Sequence, residues 1–219
     1  MIVLALDTAL SACQAAVTED DRVLAARTEP MERGHQERLA PLVAETMAAA
    51  GLAFDRIDRI AVTVGPGSFT GVRVGLAFAK GLALALDRPC LGIGTLEALA
   101  LSIAGGGFVA AAIDGRREQI YLQAFADRTA VMAPDALPIG EAAARLAELY
   151  AGRPVTLTGP GAALLDGVIA GAAIAAAPFP DIVALARLAA GRPAPSAMPR
   201  PLYLRAPDAR TLAERGVVR

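Results

Sequence analysis

Ile60-Ala61-Val62-Thr63-Val64-Gly65-Pro66-Gly67-Ser68-Phe69-Thr70-Gly71-Val72-Arg73 reads as a strand, a glycine turn and the start of a helix. The apolar, β-branched run up to Val64 fits a buried strand. Gly65 and Gly67 accept φ > 0 at little steric cost, and Pro66 stiffens the turn between them. Ser68 and Thr70 are suited to cap the helix that follows, over residues 71–86. Strand, turn and helix in this order is how α/β proteins place sites at the carboxyl ends of strands. Two readings stay open at this point. Free N–H groups at the helix start suit an anion, and a tight, well-capped turn needs no ligand at all. The spacing G-x-G-x-x-x-G is not the dinucleotide fingerprint, and Val72-Arg73 stands where a phosphate loop carries Lys and Ser or Thr.

Working outward, residues 2–7, 11–18 and 22–28 read as three strands, with Glu19-Asp20-Asp21 as the hairpin turn. A helix is expected over 36–50, with Leu39, Leu42, Val43, Thr46 and Met47 on one side and Gly51 at its end. After the long helix come a strand at 89–93 and a helix at 95–103. Gly105-Gly106-Gly107 then reads as a joint, dividing the chain into units 1–104 and 105–219. The second unit echoes the first. Leu4-Ala5-Leu6-Asp7 is repeated as Ala111-Ala112-Ile113-Asp114, and Val64-Gly65-Pro66-Gly67 as Thr158-Gly159-Pro160-Gly161. The echo predicts one strand-strand-strand-helix-strand-helix unit folded twice. The second copy continues with a helix at 140–150, a strand at 155–158 and a helix near 182–190; a Pro- and Arg-rich tail follows over the surface.

The long helix is apolar nearly all round, and such a helix must be buried nearly all round. Gly71, Gly75, Ala79 and Ala83 form a smooth stripe along it, while Val72, Leu76, Phe78, Leu82 and Leu86 cover other sides. One sheet covers only one side. The remainder is covered either by the 36–50 helix or by another chain approaching along the small-residue stripe.

Composition narrows the chemistry. The chain has 219 residues, 55% of them hydrophobic, enough for one large core or two small ones. No uninterrupted apolar run reaches the roughly 18 residues of a spanning helix, so no membrane contact is expected. The opening residues lack a basic leader and read as a strand. Cys13 and Cys90 are too few for a disulfide framework, which fits a reducing cytoplasm. A net charge of −1 does not indicate a broad basic surface for nucleic acid. His35 is the only histidine, so a His-rich metal site is excluded within one chain and a Ser-His-Asp triad could use only His35. With no G-x-S-x-G, hydrolase chemistry is disfavoured.

The stretch from Val64 to Gly75 resembles the signature of the bacterial TsaB (YeaZ-type) family. Ile2–Thr8, the His35-Gln36-Glu37-Arg38-Leu39-Ala40-Pro41 segment, the Ile113–Tyr121 hairpin and Pro201-Leu202-Tyr203-Leu204-Arg205 resemble further segments of it, so the resemblance runs through nearly the whole chain. It implies an α/β, actin-like (ASKHA) duplicated fold of two related βββαβα units. It also implies a part in making N6-threonylcarbamoyladenosine at position 37 of tRNA. In that system a related TsaD subunit performs the transfer, TsaB is its non-catalytic partner, and a TsaE ATPase joins them. The family also forms homodimers through the same helical face. TsaD-like paralogues carry a His-x-x-x-His metal pair; here the corresponding positions are Thr95 and Leu99, and neither replaces imidazole.

The expected partner face comprises His35, Leu39, Leu42, Val43, Met47, Gly71, Val72, Gly75, Leu76, Ala79, Lys80 and Ala83. Lys80, the only lysine, either snorkels or pairs with an acid across that interface. His35 reads as a helix-start or interface residue. Candidate phosphate or nucleotide contacts are Asp7, Gly65, Gly67, Ser68 and Arg73, with no tightly bound cofactor and ATP or ADP held only at a subunit joint. Asp7 either orients Mg²⁺ and phosphate through water or is an exposed strand-end cap, and the cap is the preferred reading. Asp114 is the weaker counterpart. Arg73 opposes the helix dipole where it sits, as for a carboxylate, a phosphate or a partner. From Arg187 to Arg219 the tail holds seven arginines against Asp208 and Glu214, and a solvated tail is preferred over contact with tRNA phosphates. The competing function class is an actin-like ATP-binding enzyme or metallopeptidase acting alone.

Overall fold

A computed structural model of the chain describes residues 1–205 apart from 151 and 170. The tail residues Asp208, Arg210, Glu214, Arg215 and Arg219 lie outside the described residues.

The first half contributes β1 (Ile2–Asp7), β2 (Ala12–Glu19), β3 (Arg22–Pro30), β4 (Arg59–Thr63) and β5 (Cys90–Ile93), in the order β3-β2-β1-β4-β5. β1, β2 and β3 pair antiparallel; β1, β4 and β5 pair parallel. Every residue of β1 is buried, which is the mark of a strand covered on both faces. Its side chains alternate. Ile2, Leu4 and Leu6 join the core beneath α1 (His35–Ala49) and α2 (Phe69–Leu86). Val3 and Ala5 point to the opposite face, with Ala16 and Ala61 beside them. Those small residues let a helix approach closely.

The second half repeats the connectivity. β6 (Phe108–Arg116), β7 (Gln119–Ala126), β8 (Thr129–Ala130), β9 (Asp135–Pro138), β10 (Val155–Thr158) and β11 (Ala173–Ala175) form a sheet in the order β11-β10-β6-β7-β8, with β9 also on β7. β6 pairs antiparallel with β7 and parallel with β10, as β1 does with β2 and β4. The third strand of this copy is split into the short β8 and β9, which pair with opposite ends of β7. β11 was not anticipated. α4 (Ile139–Tyr150) packs on β7 and β9.

The last helix of each half crosses to the other sheet. α3 (Thr95–Leu101) packs on β6 and β7, and α5 (Ile182–Ala190) packs on β1, β2 and β4. A cut at residue 104 therefore separates the sheets but not the helices that cover them. Arg59 fixes the crossing of α5. Its buried guanidinium donates to the carbonyls of Ala189 and Arg192 at the end of that helix, both at 2.5 Å, where a cation also suits the helix dipole.

α2 begins at Phe69, two residues before the expected start, because Ser68 Oγ accepts the Gly71 N–H at 3.2 Å. By length and composition, α2 is the one helix among the described residues that is long and apolar enough to cross a membrane. Arg73 and Lys80 interrupt it, and one of its faces packs on the chain's own sheet. Cys13 and Cys90 are free and buried, and burial pushes both thiols up to about 11.

Candidate functional site

Asp7 ends β1 and has no exposed surface. Its Oδ1 accepts the Ala9 N–H at 3.0 Å and the Thr63 hydroxyl at 2.6 Å, and its Oδ2 accepts from Gln14 Nε2 at 2.9 Å. Gln14 is held in turn by the Pro180 carbonyl and the Thr28 hydroxyl. Burial raises the Asp7 pKa above its ordinary value, although the three donors favour the charged form. This corrects both expectations for Asp7. It is neither an exposed cap nor open to Mg²⁺ or phosphate, because its own chain supplies every partner.

The glycines of the central turn serve close approach. Gly67 and Gly71 lie so near the Ala9 and Thr8 carbonyls that an added Cβ would overlap those oxygens. A Cβ on Gly75 would stand 2.6 Å from Thr8 Oγ1, a hydroxyl already donated to the Gly71 carbonyl at 2.7 Å. The Ser68 N–H goes to the Ala9 carbonyl at 2.8 Å. Gly65, at φ +103°, packs under a C-terminal strap over residues 199–205, whose Leu202 N–H reaches the Val64 carbonyl at 2.8 Å.

A cleft of about 510 Å³ opens between the halves. Ser11, His35, Gly67 and Ser68 line one side; Asp114, Arg116, Tyr121 and Arg205 line the other. His35 is the first residue of α1 and faces the Leu10 carbonyl at 3.2 Å. Asp114 accepts the Arg116 N–H and pairs with its guanidinium at 3.5 Å. The candidate nucleotide residues do not converge here. Gly67 and Ser68 line the cleft, Gly65 lines a separate cavity of about 380 Å³ under the strap, Asp7 is sealed, and Arg73 lies on the outer face of α2. A Mg²⁺-triphosphate held through the first strand-end carboxylate does not fit this donor set.

Burial also redraws the expected partner face. Leu39, Leu42, Val43, Met47, Gly71, Val72, Gly75, Leu76, Ala79 and Ala83 are all buried within the chain. The small-residue stripe lies against β1 and β4, where Thr8 and Val62 meet it. His35 is nearly buried and Lys80 half-buried. What α2 leaves open is the opposite stripe: Phe69, Arg73, Ala77, Gly81 and Leu84, the last 72% exposed. Between α1 and α2 runs an apolar groove of about 520 Å³, lined by Gln36, Leu39, Phe69, Arg73, Val74 and Phe78 among others. The spacing of this second stripe was present in the sequence, but the first stripe obscured it.

Thr95 and Leu99, at the metal-pair positions, both face the core. Leu99 would contact a side chain placed at Gly159, and the Thr95 hydroxyl is buried without a partner. Among the described residues no three His, Cys, Asp or Glu side chains gather into a metal-sized group. Tyr203 is a functional candidate that the sequence reading missed. Its hydroxyl accepts the Arg73 Nε–H at 2.8 Å, and Arg73 lies 3.6 Å above the Phe69 ring.

Two like-connected sheets with crossed helices define an actin-like, ASKHA-class protein, here with the first strand-end carboxylate sealed. The (R)-2-hydroxyglutaryl-CoA dehydratase component A of Acidaminococcus fermentans shares the fold, with a TM-score of 0.53 over 86% of this chain and 97% of that one, at 12% identity. A Pseudomonas aeruginosa protein described as similar to peptidase YEAZ superposes with a TM-score of 0.82 at 31% identity, covering 93% of this chain and 99% of that one. The family model for TsaD, tRNA N6-adenosine threonylcarbamoyltransferase, matches residues 23–190. The tRNA threonylcarbamoyladenosine biosynthesis protein TsaB of Escherichia coli K12 is 40% identical over 124 residues, 55% of this chain and 53% of the relative. The match thus spans about half the length of that relative. An uncharacterized Mycobacterium tuberculosis H37Rv protein is 34% identical over 96% of this chain and 95% of its own length. The chain belongs to the TsaD family, in its TsaB (YeaZ-type) branch.

Proposed function

We propose that this chain is a non-catalytic partner subunit. It docks a TsaD-type transferase and supports formation of N6-threonylcarbamoyladenosine at position 37 of tRNA. The carrying observation is the open stripe of α2, where Phe69, Ala77 and Leu84 stand exposed beside an apolar groove. An exposed apolar face of this kind on a helix already anchored to its own sheet suits a protein partner. The names of the TsaB relatives support the pathway. The sealed Asp7 and the core positions of Thr95 and Leu99 argue against a metal or phosphate chemistry of its own, and so against an ATP-binding enzyme or metallopeptidase acting alone.

In this reading the chain acts by binding one conformation of its partner better than others and so raising that population. A TsaE-type ATPase joins the assembly, tRNA is reached through the complex, and the same face makes a homodimer when the partner is absent. No cofactor is held tightly; ATP or ADP enters only at a joint with a partner. The setting is cytoplasmic.

The test is a reconstituted reaction of tRNA, threonylcarbamoyl-adenylate, TsaD and TsaE, scored as the fraction of modified nucleoside. Omitting this chain should abolish turnover, and Ala77→Arg, which plants a charge on the open face, should abolish both complex formation and turnover. Full turnover without the chain would remove the proposal.

A further inference from the structure

Arg73 is the fifth residue of α2, just past its first turn, where the helix dipole gives a cation no support. It lies over the Phe69 ring at 3.6 Å, and its Nε–H is bound by Tyr203 Oη at 2.8 Å. Phe69 and Tyr203 are themselves packed, with ring centroids 5.6 Å apart. Tyr203 is set by the strap, which is fixed to the end of β4 through the Leu202–Val64 hydrogen bond. Phe69 on α2 and Tyr203 on the strap thus hold one exposed guanidinium flat. Among the described residues no carboxylate reaches its terminal amino groups. They stand at the rim of the apolar groove between α1 and α2.

We propose that Arg73 is the selectivity anchor of this face: the partner seats an apolar helix in the groove and offers an Asp or Glu to the two terminal amino groups of Arg73. The inference rests on the docking role proposed above and names the chemistry by which that face chooses its partner. A planar guanidinium takes a carboxylate through two parallel hydrogen bonds, which lysine cannot do. Stacking on Phe69 and capture of Nε by Tyr203 remove rotamer freedom before binding, so less order is lost when the pair forms. The apolar groove beside it excludes water on one side and strengthens the pair relative to an exposed ion pair. Tyr203 is a positioning residue in this scheme, because it acts through Arg73.

The test measures the affinity of the full-length chain for the TsaD-type subunit by calorimetry at low and high salt, with melting curves to confirm folding. Ala77→Arg should abolish binding. Arg73→Lys keeps the charge but not the paired geometry and should weaken binding about tenfold with the salt dependence kept; Arg73→Glu should weaken it more and abolish or reverse the salt dependence. Tyr203→Phe keeps the ring and removes the acceptor; a loss of a few-fold is expected with the salt dependence retained. Reversing the partner's carboxylate to Arg should restore the Arg73→Glu variant. If Ala77→Arg binds normally, the docking face itself is wrong. If Ala77→Arg fails to bind while Arg73→Lys and Arg73→Glu bind within about twofold of the parent, the face stands and the anchor is overturned. A loss confined to self-association, with partner affinity untouched, would also overturn it, because the acid would then belong to a second copy.

Discussion

Asp7 ends β1, and Asp114 lies two residues before the end of β6, the corresponding strand of a sheet with the same connectivity. Their surroundings differ completely. Asp7 is enclosed and bound by Ala9, Gln14 and Thr63. The Asp114 side chain is 38% exposed and holds only its own turn, through the Arg116 N–H and guanidinium. The turns that follow β4 and β10 repeat the same Gly-Pro-Gly. After Ser68 the chain runs into the 18 residues of α2; after Gly161, with Ala162 standing where the first copy has its capping Ser, it makes only a single 3₁₀ turn, Ala162–Leu165. A duplicated backbone therefore preserves topology and the close approach of its glycines, while side chains decide which copy becomes core and which becomes rim.

Adding a Cβ to either turn is the severest way to break that comparison. Gly67→Ala would drive a methyl into the Ala9 carbonyl, and Gly161→Ala would place one 2.7 Å from the Ile113 carbonyl carbon. Each should lose about 3 kcal/mol or more in urea unfolding. A loss below about 1 kcal/mol in one copy only would mean that its turn yields and that the two are not equivalent.

The carboxylates should separate next. Asp7→Ala strands three buried donors and should cost about 2–3 kcal/mol, whereas Asp114→Ala should stay within about 0.5 kcal/mol. Equal costs would contradict the contrast between them. The pH dependence sharpens it. Because burial raises the Asp7 pKa above its ordinary 3.8, the folded state holds that proton more tightly than the unfolded one. Its stabilising contribution is complete below 3.8 and is lost as pH rises through the folded value. The stability of the parent relative to Asp7→Asn should therefore decline from pH 3.8 upwards in urea titrations, and a flat or rising difference would show that the three donors outweigh burial.

The smallest expected effect concerns the cap. Ser68→Ala makes the first turn resemble the second and should lower stability by about 1 kcal/mol, read as a shift in melting temperature with α2 otherwise intact. An unchanged melting temperature would leave the difference between an 18-residue helix and a single 3₁₀ turn without a local cause.

Much of this was legible in the residues themselves. The continuous apolar run of β1, the β-branched run of β4, the two Gly-Pro-Gly turns and the repeated Leu-Asp and Ile-Asp pairs gave the duplicated α/β fold, since each signal sits within a few residues. The sidedness of α2 was not legible, because both of its stripes are apolar at helical spacing and hydrophobicity does not choose between them. The sheet chose: only the Gly71, Gly75, Ala79 and Ala83 side lets Thr8 and Val62 come close. The burial of Asp7 depends on Thr63, 56 positions away, and the fixing of Arg73 on Tyr203, 130 positions away. α5 likewise covers the sheet of the other half. Local periodicity and steric need are written along the chain. Which face turns inward, which carboxylate loses water and which arginine is held still are set by contacts between distant segments, and these exist only once both sheets have closed.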